Sequence, residues 1–437
     1  MISEALVSLL AITQTTDLAA RFTGVHPFLP LLSATRFGTI GGISQPKILL
    51  ELKQCKSFND DYWPAYWTSL AELYLLRLDT ELKRWKLDPK QAWLENEPKR
   101  SPSPDLLAFL AHGSTVITQT PPGTVIDAND SLNSATPPEI LSSRIAVDAL
   151  VKAIAYLFIA AWPGRTPNRD KAYYSCEALF DILLDAVAPT IDLKVERHVV
   201  RSQGEEIKVY GLLPEATQPI GMPGVLFTNG LEGTNVESIM TVLRTRSVVS
   251  SAWFFMEMPG TYRYKRPLCK DSSEQIYGDV LSFIESHSAI DRSRLGMVGV
   301  SFGGNCVTRM AIADERLKAV VINGAPLARS LSPTGSFGMP EILVRSLFNV
   351  VGAGGIQALM TSLHSLRPCR ADIERIRCPV LAINGERDTL VSTQDTIDLA
   401  NWAPRSELML FPDDDHCAMG HIREWQEHSS EWLMRAL

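Results

Sequence analysis

The chain has 437 residues, 45% of them apolar and 21% charged, a balance that excludes a disordered polymer and implies more than one ordinary core. A net charge of −7 without a basic patch argues against nucleic acid as a partner. Seven cysteines, odd in number and scattered singly, argue against a disulfide framework, against a zinc site and for a reducing compartment.

The first residues, Met1 to Val7, carry Glu4 where a signal peptide needs basic residues. Residues up to about 60 resist assignment, because Pro27, Pro30, Gly38, Gly41 and Gly42 interrupt any long element. From Trp63 to Trp85 the leucines recur at helical spacing among charged residues, which predicts a helix with Tyr62, Trp63, Tyr66 and Trp67 as core aromatics. Polar, proline-bearing stretches at 86–105 and 119–138 read as loops. Two long helices are expected at 139–162 and 167–187, the second capped by Thr166 or Asn168. The apolar run from Ala153 to Trp162 is about half a membrane span, so it predicts a buried helix and a chain without a membrane crossing. The default location is the cytoplasm.

Near residue 191 the pattern changes. Leu193–Val200 and Ile207–Leu212 alternate around Gln203-Gly204, which predicts a β-hairpin. Short, almost wholly apolar strands follow at 224–228, 252–258, 295–300, 319–322, 380–383 and 407–411, separated by helical stretches. Such strands imply a parallel sheet covered on both faces. The expected architecture is α/β: an eight-stranded, mostly parallel sheet of the α/β-hydrolase fold spanning 191–437, preceded by a mostly helical N-terminal cap region, 1–190. The long segment between the sixth and seventh strands, 327–376, contains helical patterns split by Gly352-Ala353-Gly354-Gly355 and is read as a lid insertion.

Chemistry concentrates at Gly299-Val300-Ser301-Phe302-Gly303, between a strand and a helix. This is the pattern of a nucleophile elbow, which lifts a serine hydroxyl above the sheet edge. A serine needs a base, and the base an orienting acid, in the chain order Ser, Asp or Glu, His. Asp388, past the seventh strand, is the preferred acid, with Glu386 as the alternative. His416, past the last strand, is the preferred base, with His421 as the alternative. Asp413, Asp414 and Asp415 read as a solvated loop. The remaining histidines, among them His198 and His287, have no such placement. Backbone N–H groups of Phe302 and Leu231 are the expected oxyanion donors. Glu232 and Tyr262 are candidate pocket residues, with a solvated loop residue and a packed tyrosine as the respective alternatives. No metal or organic cofactor is expected.

These motifs, together with Asn229-Gly230-Leu231-Glu232-Gly233, Met258-Pro259-Gly260, Asn384-Gly385-Glu386-Arg387-Asp388 and Asp415-His416, carry a family resemblance. The chain resembles the α/β-hydrolases of fungal secondary metabolism, including the yellowish-green type that shorten polyketides and the hydrolases of fusarin and cytochalasan clusters. It is also similar to the bacterial 2,6-dihydroxypseudooxynicotine hydrolases, which cleave a carbon–carbon bond. The resemblance covers residues 140–437 well and 1–100 weakly. It implies Ser301, Asp388 and His416 as the triad, a helical domain over the active site, and a small polyketide-type substrate. It leaves open the bond cleaved and whether the chain is a monomer or a homodimer. A general carboxylesterase, a peptidase and an inactive hydrolase fold used for binding are the rival readings.

Overall fold

A computed structural model describes residues 4–87, 102–119, 137–215, 221–245, 251–333, 335 and 338–437. The loops expected at 86–105 and 119–138 lie mostly outside the described residues. The N-terminal part is helical: α1 (Glu4–Thr13), α2 (Thr16–Thr23), α3 (Ser33–Gly41), α4 (Gln45–Gln54), α5 (Trp63–Arg84), α6 (Pro104–Ala111), α7 (Thr115–Thr118), α8 (Pro138–Ala161) and α9 (Pro167–Val187). The chain clusters into two units, one of Met1–Thr16, Phe28–Leu32 and Glu196–Leu437, the other of Asp17–Pro27 and Ser33–Val195.

The second unit is built on α5, α8 and α9. Ala153 to Trp162 are all buried, as their unbroken apolar run requires. Trp63 and Trp67 have no exposed surface, and the Trp63 indole N–H donates to the Ile159 carbonyl at 2.7 Å. Large aromatics contribute most of such a core because each buries so much area. Tyr62 departs from the expectation: it is exposed and stacks on Tyr66, because it precedes the first turn of α5. Thr166 does occupy the cap position of α9, without a side-chain cap bond, and Pro167 opens the helix.

The first unit holds the sheet. Its strands are β1 (Leu193–Ser202), β2 (Glu205–Pro214), β3 (Met222–Thr228), β4 (Ala252–Met256), β5 (Ile290–Val300), β6 (Leu317–Asn323), β7 (Val380–Gly385) and β8 (Ser406–Phe411), in the order β1-β2-β4-β3-β5-β6-β7-β8. Gln203 and Gly204 both have positive φ, the requirement of a two-residue hairpin turn. β2 runs antiparallel to β4, and every pair from β4–β3 through β7–β8 is parallel. The flanking helices are α10 (Asn235–Thr245), α11 (Lys270–Ser286), α12 (Phe302–Ala313), α13 (Glu341–Val351), α14 (Ile356–Ser365), α15 (Arg370–Ile373), α16 (Thr393–Trp402) and α17 (Ile422–Ala436). This is the α/β-hydrolase fold. The buried apolar runs become strands because both faces of the sheet are covered, so no alternation is needed.

The segment between β6 and β7 contains α13, α14 and α15. Leu268 N–H donates to the Val350 carbonyl at 2.7 Å, which ties α13 to the loop after β4. The N-terminal helix α1 belongs to this unit and packs on α13: Gly338 N–H donates to Ser8 Oγ (2.9 Å) and Thr16 N–H to Glu341 Oε2 (3.2 Å). Among the described residues no single helix is long and apolar enough to cross a membrane.

Candidate active site

β5 ends at Val300 and α12 starts at Phe302, which leaves Ser301 as the hinge between them. Its φ of 55° and ψ of −127° are strained for a residue with a Cβ, and its N–H donates to the Asn323 carbonyl at 2.7 Å. The elbow is too tight for side chains around it. A Cβ on Gly299 would stand 2.4 Å from the Gly303 carbonyl oxygen, and one on Gly303 would stand 2.3 Å from that of Asn229. The loop after β3 therefore runs directly against the serine. A Cβ on Gly230 would lie 2.6 Å from that of Ser301.

The seventh and eighth strands supply the other two groups. Asp388 lies on the turn beyond β7 with its side chain fully buried. Its Oδ1 accepts from the N–H groups of Leu390 (2.8 Å) and Val391 (2.9 Å), and its Oδ2 accepts from Asn384 Nδ2 (2.8 Å). His416 begins the turn after β8. Its Nδ1 lies 2.7 Å from Asp388 Oδ2 and its Nε2 lies 2.8 Å from Ser301 Oγ. The structure thus brings together the three residues singled out from the sequence. Glu386 is exposed, and His421 stacks on Phe411 and bonds Asp414 Oδ2 at 2.8 Å, so neither alternative joins this cluster.

Electrostatics couples the pair. Burial alone would raise the Asp388 carboxyl, but the adjacent His416, the Val391 N–H and the Asn384 amide together hold it below the usual carboxylate range. Burial alone would lower His416, but the Asp388 carboxylate outweighs it and holds the imidazole well above its usual value.

Three placements differ from the sequence reading or add to it. The aspartates before His416 are not simply a solvated loop. Asp413 is exposed and pairs with Arg387 at 2.8 Å, but Asp414 is buried, and Asp415 Oδ1 accepts from the N–H groups of His416 (2.8 Å) and Thr389 (2.7 Å). Glu232 is not solvated either. It is buried with a φ of 56°, its carboxylate accepts from Ser346 Oγ of α13, and its carbonyl accepts from the Tyr262 hydroxyl at 3.0 Å. Tyr262 is itself packed, 3% exposed. Phe302 is the first residue of α12, where helix N–H groups lack an intrahelical partner, and Leu231 follows Gly230 in the loop beside the serine.

Asn384 escaped the sequence reading as a functional residue. Fully buried at the end of β7, it donates to Asp388 and accepts from Cys417 N–H (2.9 Å), so it joins the acid's turn to the base's loop. Its signal was a lone amide near the end of an apolar strand, where a buried polar side chain must find partners; Asn384 also accepts from Gly385 N–H at 2.9 Å. Asn384→Leu strands these buried groups and is expected to lower stability by about 2–4 kcal/mol, read by thermal unfolding.

Comparison with known proteins identifies the family. Residues 139–409, more than half of the chain, match the model of the esterase FrsA-like family. Over 259 residues the chain is 24% identical to 2,6-dihydropseudooxynicotine hydrolase of Paenarthrobacter nicotinovorans, covering 58% of this chain and 68% of that protein. Esterase FrsA of Vibrio cholerae serotype O1 (strain M66-2) is 24% identical over 262 residues, which span 57% of this chain and 61% of the relative's length. The crystal structure of the 2,6-dihydroxy-pseudo-oxynicotine hydrolase superposes with a TM-score of 0.63 at 20% identity, over 92% of this chain and 95% of that one. AbyA5 superposes with a TM-score of 0.58 at 22% identity, over 67% and 86%. With the family model spanning most of the sheet and the elbow within it, the chain belongs to the FrsA-like esterase family of α/β-hydrolases.

Proposed function

We propose that this protein is a serine hydrolase in which Ser301 is the nucleophile, His416 the base and Asp388 its orienting acid. The observation that carries the reading is the unbroken line of hydrogen bonds from Ser301 Oγ through both ring nitrogens of His416 to Asp388. In this mechanism His416 Nε2 takes the Ser301 proton as Oγ attacks a substrate carbonyl carbon. The tetrahedral oxyanion is held by the N–H groups of Phe302 and Leu231. Its collapse expels the leaving group, which His416 protonates, and water then releases the acyl group by the reverse sequence.

The substrate we propose is a carbonyl of a polyketide or polyketide–peptide intermediate in fungal secondary metabolism, with the enzyme acting in the cytoplasm. The resemblance in the loop motifs supports this reading, and so does the similarity to a hydrolase of pseudooxynicotine type. If a carbon–carbon bond breaks, the leaving carbanion must be stabilised as an enolate, which a β-dicarbonyl chain provides. If an ester or amide breaks, or an acyl group cyclises, the same residues serve. A second reading, a general carboxylesterase, is favoured by the family match. The test is mass spectrometry of products after incubating wild type and Ser301→Ala with β-dicarbonyl polyketides and p-nitrophenyl esters. Polyketide turnover by wild type alone is the expected result. Turnover of simple esters only would replace the first reading by the second.

A further inference from the structure

Far from Ser301 along the sheet, three side chains without an assigned role converge. Glu196 and His198 stand two residues apart on β1, so they leave the same face of the strand. His287 follows the last turn of α11. His198 Nε2 and His287 Nε2 each lie 3.0 Å from Glu196 Oε2. The three donor atoms all lie within 4.8 Å of one another. The side chains are 29% (His198), 15% (His287) and 15% (Glu196) exposed, open enough for a small ion to reach. Both rings are braced: His198 lies 4.7 Å from the Phe283 ring and His287 lies 5.8 Å from that of Phe254, centroid to centroid.

One imidazole would satisfy a carboxylate oxygen as a hydrogen-bond partner. Two imidazoles aimed at the same oxygen by different elements make the donor set of a metal site. Ligands at bonding distance around a tetrahedral zinc ion are about 3.3 Å apart, close to the 3.0 Å between each imidazole Nε2 and Glu196 Oε2. We propose that Glu196, His198 and His287 bind one divalent transition-metal ion, with Zn2+ the best match to two imidazoles and a carboxylate and water in the fourth position. β2, β4 and β3 separate β1 from β5 in the sheet, so the ion's role is structural. It pins the first strand of the hairpin to the end of α11. Ala289 N–H lies 3.3 Å from His287 Nδ1, a long contact that ligation through Nε2 would give up, because a neutral ring ligating through Nε2 carries its proton on Nδ1.

The test is calorimetric titration of the chelator-treated full chain with ZnCl2, alongside thermal unfolding with and without zinc. One ion per chain and a raised Tm are expected. His198→Ala and His287→Ala should each weaken binding by at least about tenfold. Glu196→Gln, which preserves shape, should abolish the zinc-dependent rise in Tm. Cys269→Ser with Cys369→Ser, which removes the two exposed thiols, should leave binding unchanged. Absence of saturable binding, affinity unchanged in both histidine variants, or a zinc-dependent Tm rise that persists in Glu196→Gln would each overturn the proposal.

Discussion

Ser301→Ala is expected to abolish labelling by a fluorophosphonate probe and to lower kcat by roughly 10^4- to 10^6-fold, with the fold intact. The reasoning is geometric. Ser301 Oγ is the atom that His416 Nε2 addresses at 2.8 Å, and no other hydroxyl is bonded to that nitrogen among the described residues. Removing it leaves His416 Nε2 without the hydroxyl it bonds. Stability should respond in the opposite direction. Ser301 sits at a φ of 55°, a conformation that penalises any side chain, so Ser301→Gly should raise stability by about 1 kcal/mol while losing activity. Labelling retained in Ser301→Ala would remove Ser301 as the nucleophile.

The second large effect concerns the acid. Asp388→Asn is expected to lower kcat by roughly 10^4-fold, because the amide no longer fixes the tautomer and orientation of His416. It should also move the acid limb of the pH profile. Only the neutral imidazole accepts the serine proton, so activity is present above the His416 pKa and lost as pH falls through it. In wild type the carboxylate outweighs burial and holds that pKa well above the ordinary histidine value. In Asp388→Asn burial remains and the carboxylate is gone, so the limb shifts to lower pH. The measurement is kcat/KM for a p-nitrophenyl ester against pH. A rate within tenfold of wild type, with the limb unmoved, would assign the orienting role elsewhere.

What was legible in the sequence is what local physics writes locally. Buried parallel strands need apolar runs, and β3 to β7 announced themselves in that way; β8, at the sheet's edge, is apolar in sequence yet mostly exposed or half-buried. The elbow was legible because its glycines are demanded by contacts within a few residues and by a loop that crosses it. Asp388 and His416 were legible because parallel-sheet sites gather at strand ends. The helices before residue 60 were not. Gly38 and Gly41 read as breakers, but they lie inside α3, where a Cβ on Gly41 would come 2.6 Å from that of Ala155. Gly41 is a glycine because α3 approaches α8 closely, which nothing nearby in sequence records, whereas a Cβ on Gly38 would stand 2.5 Å from the Ile43 carbonyl oxygen. The burial of Glu232 was hidden for a similar reason: its partner Ser346 lies 114 positions away. The Glu196–His287 contact spans 91 positions and was equally invisible.

The order of the sheet has a kinetic consequence. β5 takes its place between β3 and β6, and His416 arrives from a turn 115 positions beyond the serine, after β7 and β8 have added to the far edge. Contacts of such long range form only after the entropy of closing the intervening chain has been overcome. The bond between Ser301 and His416 is therefore among the contacts whose closure costs the most chain entropy, and on the proposed triad a chain that has formed the elbow but not the turn after β8 has no base beside its serine.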